Sequence, residues 1–185
     1  MKLVDLAKFK FITEPRYYYY LWINTPQVLA RETVAKRLKK AKTLLPRGYN
    51  FKIWDCWRPR AVQIKMIENF RRRLAIANPE KSEAQIRKLV DSFCAKPLKV
   101  VTRPDTHRNG GALDLTIVDR QGSELYMGTD FDDATVKAAT DFFENKKQLT
   151  ILDKVARKNR RLLARVMSGA GFENYKNEWW HWSAV

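Results

Sequence analysis

The spacing of apolar residues predicts that helices and short strands follow one another along the chain. After Thr25-Pro26, a typical helix start, apolar residues recur at helical spacing until Pro46-Arg47-Gly48, which predicts a first helix over this stretch. From Tyr49 to Trp57 the apolar positions alternate, which predicts a strand that ends at Arg58-Pro59. Pro59 then opens a second predicted helix.

The middle of the chain predicts a third helix, a polar loop and an apolar strand. Ser82 and Gln85 have the spacing of a capping box, and a short strand is expected between Pro97 and Pro104. The polar, glycine-rich segment 104–111 leads directly into the apolar run 112–118, which turn-forming residues close. A loop that joins such a strand is a favourable place for a functional site, because the strand supplies rigidity.

The C-terminal part predicts two more helices and a region of strand. An acidic loop over residues 127–133 is followed by a predicted helix that carries Val136, Ala139 and Phe143. A long last helix ends at Gly169-Ala170-Gly171, and the aromatic tail from Phe172 to Trp182 predicts a strand or a pair of strands. This order predicts an α+β fold, with a small antiparallel or mixed sheet flanked by helices.

The composition is that of a soluble globular protein. The chain has 185 residues, of which 45% are hydrophobic and 30% charged, so residues 1–185 are expected to form one domain. The N-terminus has no apolar core of a signal peptide, because charged residues interrupt it, which predicts a cytoplasmic location. No apolar run approaches the roughly 20 residues that a membrane span needs, so no membrane association is expected.

The formal net charge of +16 makes an anionic partner worth considering. The densest basic runs lie in predicted helices, however, where charged residues usually face water, and that interpretation is preferred. No recognised nucleic-acid-binding motif appears, and aromatic residues are not interleaved with the basic runs, so nucleic acid is not an expected partner. An anionic wall polymer is a candidate partner, and the oligomeric state is left open.

The chain has only two histidines, and each lies near carboxylates. His107 precedes Asp114 by seven residues, and His181 follows Glu178 by three. A catalytic zinc ion commonly has three protein ligands and an open position for water, which His107, Asp114 and His181 would satisfy. Cys56 and Cys94 lack the spacing of a thiolate zinc site.

Two further residues have the chemistry that a zinc hydrolase needs. Glu178, a carboxylate near the metal but not bound to it, is a candidate general base for the attacking water. Arg58, at a strand end beside the rigid Pro59, is a candidate for stabilising the developing oxyanion. Taken singly, each of these residues also fits a structural role, such as an ion pair, a cap or a buried polar group.

Five ordered segments resemble the D-alanyl-D-alanine dipeptidases of the VanX type. Residues 107–114 match the pattern H-x-x-G-x-A-x-D, and residues 178–181 match E-x-x-H. The resemblance continues through segments 55–59, 127–132 and 159–175 in the family's order. It covers about the last three quarters of the chain, and five ordered blocks are more specific than any one of them.

The resemblance implies an α+β fold shared with other peptidoglycan-directed zinc peptidases of the Hedgehog-like type. It implies hydrolysis of D-alanyl-D-alanine or a similar small dipeptide, with one zinc ion per chain held by His107, Asp114 and His181. It also implies that Glu178 is the general acid/base and that Arg58 stabilises the transition state. A carboxypeptidase that trims peptidoglycan stem peptides with the same zinc centre is the alternative function.

The resemblance also indicates three candidate substrate-binding residues, Asp132, Asp105 and Thr106, of which Asp105 departs from the family's residue type. The family suggests that Asp132 pairs with the substrate ammonium, while a helix N-cap is the structural alternative for Asp132. Where the family has a serine that helps to bind the substrate carboxylate, this chain has Asp105, with Thr106 adjacent. An aspartate there is expected to repel a carboxylate unless Arg108 or another cation offsets its charge.

Overall fold

The described residues form seven short strands and six helices, and the predicted α+β class is confirmed. A computed structural model describes residues 2–100, 103 and 105–184 of the chain. The strands are β1 (Leu3–Asp5), β2 (Ile12–Thr13), β3 (Leu29–Arg31), β4 (Asn50–Asp55), β5 (Ala112–Val118), β6 (Phe172–Asn174) and β7 (His181–Ala184). The helices are α1 (Arg16–Tyr19), α2 (Glu32–Thr43), α3 (Arg60–Ala77), α4 (Glu83–Phe93), α5 (Phe142–Asn145) and α6 (Ile151–Gly169). Short 3₁₀ turns occur at Leu6–Phe9, His107–Asn109 and Val136–Ala138.

The main sheet is mixed and has the strand order β2-β4-β5-β7-β6. Strand β2 pairs with β4 in parallel, and every other pair in this sheet is antiparallel. Strands β1 and β3 form a separate antiparallel ribbon. The central strand β5 is buried along its whole length, which means that both of its faces are covered by other parts of the protein.

Alternation along β5 separates the core from the polar face of the sheet. Leu113, Leu115 and Ile117 belong to the hydrophobic core, together with the buried faces of α2 and α6. Because successive side chains of a strand point to opposite faces, Asp114 and Thr116 point away from this core. One carboxylate is thereby buried on the sheet face opposite the core helices.

Most predicted elements are present close to their predicted bounds. The strand over residues 49–57, the helix that follows Pro59 and the long last helix correspond to β4, α3 and α6. The capping box of Ser82 and Gln85 forms with both of its hydrogen bonds, and the aromatic tail forms the pair β6 and β7. Within the described part of the chain, no helix has the length and apolar character to cross a bilayer.

The predicted start of the first helix is wrong. Leu29–Arg31 forms strand β3, and the helix begins at Glu32. The backbone of this segment forms its hydrogen bonds with partners distant in the sequence, because it pairs with β1. In addition, the Trp57 N–H donates to the Leu29 carbonyl, and the Arg31 N–H donates to the Gly110 carbonyl. Pairing with distant segments therefore replaces the first helical turns.

The predicted helix around Val136, Ala139 and Phe143 is also wrong, because the segment is broken into the 3₁₀ turn and α5. The Arg160 guanidinium donates to the carbonyls of Lys137 and Ala139, which a continuous helix would need for its own hydrogen bonds. No strand forms among residues 97–100 and 103, while Val101, Thr102 and Pro104 lie outside the described residues.

Candidate metal centre and active site

Three neighbouring strands bring Asp55, Asp114 and His181 side by side. Asp114 is the cross-strand partner of Asp55 on β4 and of His181 on β7. A register shift between Ile53 and Asp55 places the last residue of β4 opposite Asp114. The sheet thus fixes two carboxylates and one imidazole in a row, on strands that hold them rigidly.

His107 joins this row from the 3₁₀ turn that precedes β5. The turn ends at Gly110 in the left-handed region, with φ of 64°, where the Gly110 N–H donates to the His107 carbonyl at 2.9 Å. A side chain at Gly110 would be strained by this φ, and its Cβ would lie 3.0 Å from Leu3. The glycine in the predicted loop therefore allows the sharp turn that directs His107 toward Asp114.

The donor atoms of His107, Asp114 and His181 form a small triangle. His107 Nε2 lies 3.1 Å from His181 Nδ1 and 3.3 Å from Asp114 Oδ1, and His181 Nδ1 lies 3.0 Å from Asp114 Oδ1. Ligand atoms about 2.0–2.1 Å from a tetrahedral zinc ion are separated by about 3.3 Å, so the triangle has the dimensions of one face of such a site. Among the described residues this is the one group of three that has the donors and the proximity to hold a metal ion.

The environment of the triangle also fits a divalent cation. The other ring nitrogen of His107 lies 2.8 Å from the Cys56 carbonyl and 3.0 Å from Asp55, contacts of the kind that orient a metal-bound imidazole. The same region holds the carboxylates of Asp55, Asp114, Asp132 and Glu178. Arg58 is the cation in contact with the first two, and carboxylate oxygens beside two imidazoles are a donor set that suits a divalent cation.

Arg58 is held rigidly against the carboxylates behind the triangle. Its Nε donates to Asp55 at 2.8 Å and its NH2 donates to Asp114 Oδ2 at 3.0 Å, while the Gln63 side chain accepts from NH1. The guanidinium lies over the Tyr17 ring, 4.9 Å from its centre. Asp114 therefore uses Oδ1 in the donor triangle and Oδ2 to bind Arg58.

Glu178 lies beside the triangle without joining it. Its carboxylate is 3.8 Å from His181 Nδ1, and a turn fixes its backbone, where the Glu178 N–H donates to Tyr175 and the Asn174 amide donates to the Glu178 carbonyl. Burial raises the pKa of Glu178 to about 8, and the carboxylates of Asp114 and Asp132 add to this. A carboxyl with a pKa near neutrality is suited to accept and return a proton.

The two imidazoles have opposite pKa shifts. Burial and Arg58 act to lower the pKa of His107, but Asp114 and Asp55 outweigh them and raise it to about 9. Burial lowers the pKa of His181, against the opposing effect of Asp114. Burial alone would raise the pKa of Asp114, but the two histidines hold it well below its usual range.

Asp132 lies in the same cleft, at the end of the acidic loop. Its backbone adopts a left-handed conformation with φ of 60°, which is uncommon outside glycine and is found at functional sites. Burial raises the pKa of Asp132 to about 7, with a further contribution from Asp114. Asp132 caps none of the described helices, so the structural alternative, a helix N-cap, is not observed.

One cleft of about 1130 Å³ contains all eight residues that the sequence predicted for the site. These residues are Arg58, Asp105, Thr106, His107, Asp114, Asp132, Glu178 and His181. The walls of the cleft come from α3, α4 and the loops around β6 and β7. The cleft is concave, charged and open to solvent on one side, as substrate sites commonly are.

Comparison with known proteins identifies the family. A family model described as D-ala-D-ala dipeptidase matches residues 20–185. The chain belongs to this peptidase family.

Three relatives in the D-Ala-D-Ala dipeptidase family are named D-alanyl-D-alanine dipeptidase. The relative from Synechocystis sp. is 30% identical over 176 residues, which cover 86% of this chain and 70% of the relative. The relative from Enterococcus faecalis is 24% identical over 86% of this chain and 74% of its own length. The relative from Enterococcus faecium is 28% identical over 84% of this chain and 73% of its own length.

In this member of the D-Ala-D-Ala dipeptidase family, a neighbouring arginine offsets the negative charge of Asp105. Asp105 forms a two-point ion pair with Arg103, in which Nε donates to Oδ1 at 3.1 Å. The offsetting cation, which the sequence analysis expected from Arg108 or another residue, is Arg103. The adjacent Thr106 hydroxyl is buried and has no hydrogen-bond partner among the described residues.

Two site residues of this dipeptidase-family chain were missed by the sequence analysis. Asp55 was noted only within a family segment, although it contacts both Arg58 and His107. Tyr17 received no role in the sequence analysis, yet its buried ring supports Arg58 and stacks on Trp22, with the ring centres 5.6 Å apart. The alternation of the β4 strand, which ends on a buried aspartate, was the signal available for Asp55; the sequence held none for Tyr17.

Proposed function

We propose that the chain is a zinc-dependent dipeptidase that hydrolyses the peptide bond of D-Ala-D-Ala, or of a closely similar small D,D-dipeptide. The main support for this proposal is the donor triangle of His107, Asp114 and His181. The Glu178 carboxylate lies 3.8 Å from His181 Nδ1. The names of the relatives support the D,D-dipeptide as substrate. One zinc ion per chain is expected.

The proposed base is Glu178. A zinc ion held by His107, Asp114 and His181 would supply Lewis acidity, which would make water nucleophilic at neutral pH and polarise the substrate carbonyl. The Glu178 carboxylate accepts the proton of the attacking water as the oxygen–carbon bond forms. It then delivers that proton to the amide nitrogen as the carbon–nitrogen bond breaks, so the products are two free amino acids.

Arg58 is the proposed stabiliser of the oxyanion that develops on the attacked carbonyl. Its guanidinium is fixed by Asp55 and Asp114, so little reorganisation is needed when charge develops. Arg58 contacts both Asp55 and Asp114. Its positive charge therefore offsets part of the repulsion that these two carboxylates would exert on a negatively charged transition state.

Two further groups are proposed to orient the dipeptide. Asp132 receives the substrate ammonium, which suits a buried carboxylate that lines the same cleft as the base. The Thr106 hydroxyl donates to the substrate carboxylate, and the Arg103–Asp105 pair lies beside it as a balanced ion pair. This arrangement fixes both ends of a short substrate around the scissile bond.

The test is release of free alanine from D-Ala-D-Ala by zinc-loaded protein, compared with L-Ala-L-Ala. We expect the parent protein to release alanine from the D,D-dipeptide, and Glu178→Gln to lower turnover by about 10²–10⁴-fold while its zinc content is retained. Glu144→Gln is the matched control, because Glu144 lies outside the cleft in an ion pair with Arg161.

Three outcomes are informative. Near-normal turnover in Glu178→Gln means that Glu178 is not the base. Loss of zinc from this variant means that Glu178 is a ligand. No alanine release by zinc-loaded parent protein would contradict the proposed substrate and direct attention to a longer wall peptide.

A further inference from the structure

Helix α3 presents one row of polar and large side chains to the cleft. Gln63, Met66, Asn69 and Arg73 line the cleft and recur every three or four residues, which is the spacing of one helix face. Val62 is the buried residue of α3, so the helix uses much of this face as a cleft wall and not as core.

The basic run 71–73 is divided by this geometry. Arg71 donates to Glu83 on α4, and Arg72 is exposed and does not line the cleft. Arg73 is exposed as well, but it lines the cleft and has no ion-pair partner among the described residues. One arginine of the run is therefore directed to the cleft, and its neighbour Arg72 is a natural control.

Arg73 acts on the same part of the cleft as Asp132. Burial is the main influence on the pKa of Asp132, which it raises, but the Arg73 charge is close enough to lower it. Asp91 and Asp133 also line the cleft, yet neither is within ion-pair distance of Arg73. A cation with free donors thus stands near the proposed binding place of the substrate ammonium.

The cleft also has room for more than the side chain of alanine. Its volume of about 1130 Å³ exceeds the range of roughly 300–1000 Å³ that is typical for drug-sized ligands. A dipeptide of two alanines is much smaller than such ligands, so the space along α3 is left for a longer side chain.

We propose that Arg73, assisted by Asn69, binds a carboxylate on the side chain of the substrate's N-terminal residue. The inference rests on the proposed function, in which Asp132 binds the ammonium of that residue. An acidic amino acid presents its ammonium and side-chain carboxylate a few atoms apart, and Asp132 and Arg73 offer one partner for each group in the same cleft. A guanidinium and an amide one helical turn apart are suitable donors for a carboxylate.

The experiment compares kcat/KM for D-Glu-D-Ala, D-Ala-D-Ala and D-Lys-D-Ala in zinc-loaded protein. We expect the parent protein to prefer D-Glu-D-Ala over D-Ala-D-Ala by roughly tenfold, the value of one charged hydrogen-bonded contact. Arg73→Gln should remove this preference, and Arg73→Glu should shift it toward D-Lys-D-Ala. Arg72→Gln should keep the parent's order of substrates.

Two results would overturn the proposal. One is a parent protein with no preference for the acidic dipeptide. The other is an equal loss on all three substrates in Arg73→Gln, which would assign Arg73 to the backbone carboxylate.

A binding measurement separates this proposal from the proposed function. Titration calorimetry with zinc-loaded Glu178→Gln measures dipeptide affinity when cleavage is blocked. Tighter binding of D-Glu-D-Ala that depends on Arg73 supports the subsite even if the parent protein cleaves none of the dipeptides. Equal binding of D-Glu-D-Ala and D-Ala-D-Ala, or no binding of either, contradicts it.

Discussion

His107 is held between two carboxylates that favour its charged form. Asp55 lies 3.0 Å from one ring nitrogen and Asp114 lies 3.3 Å from the other. Burial and Arg58 oppose the charge, yet the pKa of His107 is raised to about 9. A zinc ligand must be a neutral imidazole, so at pH 7 a metal ion has to displace a proton from this residue.

Zinc affinity is therefore expected to depend on pH up to the pKa of His107. Because the metal-free side chain is protonated below about pH 9, affinity should rise about tenfold per pH unit for each proton released, and should level off above that value. Competition with a chelator between pH 6.5 and 9.5 measures this dependence. Asp55→Asn removes one of the two carboxylates, so the plateau should begin at lower pH, and equal affinities across the range in the parent protein would contradict the argument.

At the scale of elements, Arg160 attaches helix α6 to the loop that carries Asp132. This buried guanidinium donates to the carbonyls of Met127, Lys137 and Ala139. It also lies 4.7 Å from the centre of the Phe143 ring. Burial lowers the pKa of Arg160 to about 10, so it remains charged at neutral pH.

Replacing Arg160 is expected to destabilise the fold and to loosen the acidic loop. Arg160→Met keeps much of the side-chain volume but leaves three carbonyls without their donor, which should lower the free energy of unfolding by about 3–5 kcal/mol. Thermal unfolding should show a decrease in Tm on the order of 10 °C. Arg165→Gln, exposed on the same helix, should change stability by less than about 0.5 kcal/mol, and an equally small effect of Arg160→Met would show that the loop is held by other contacts.

Elements with local signals were predictable from the sequence, and elements set by distant partners were not. The capping box of Ser82 and the proline before α3 are local, so these helices were placed well. Strand β3 depends on pairing with β1, and the break before α5 depends on Arg160, which lies at least 20 residues from the carbonyls it binds there. No periodicity within these segments reports such partners.

The candidate site shows the same difference between features with a local sequence signal and features that depend on distant partners. The proposed zinc ligands and Glu178 were named from short motifs, because their chemistry is carried by residue type and spacing. The support of Arg58 by Tyr17 and the pairing of Asp105 with Arg103 depend on how loops fold around the cleft. These contacts became visible only in the three-dimensional arrangement.

At the scale of the whole molecule, the basic runs of α2 and α6 lie in a different part of the fold from the cleft. Helices α2 and α6 pack against each other, with Arg37 donating to the Gly171 carbonyl at 2.7 Å. Their outer faces carry exposed cations, which include Lys36, Lys39, Lys40 and Lys158. Within the described chain, no residue of α2 or α6 lines the cleft.

This separation predicts that a polyanion will bind weakly and will not compete with the dipeptide. A net charge of +16 attracts any polyanion, so a labelled single-stranded oligonucleotide should bind nonspecifically, with affinity that falls steeply as salt is raised. Since the cations of α2 lie outside the cleft, oligonucleotide at a saturating concentration should leave the KM for D-Ala-D-Ala unchanged. The double variant Lys39→Gln/Lys40→Gln should weaken oligonucleotide binding and retain turnover. Competitive inhibition by the oligonucleotide would contradict this separation, because it would mean that the polyanion enters the cleft where Arg73, Arg103 and Arg108 supply the positive charge.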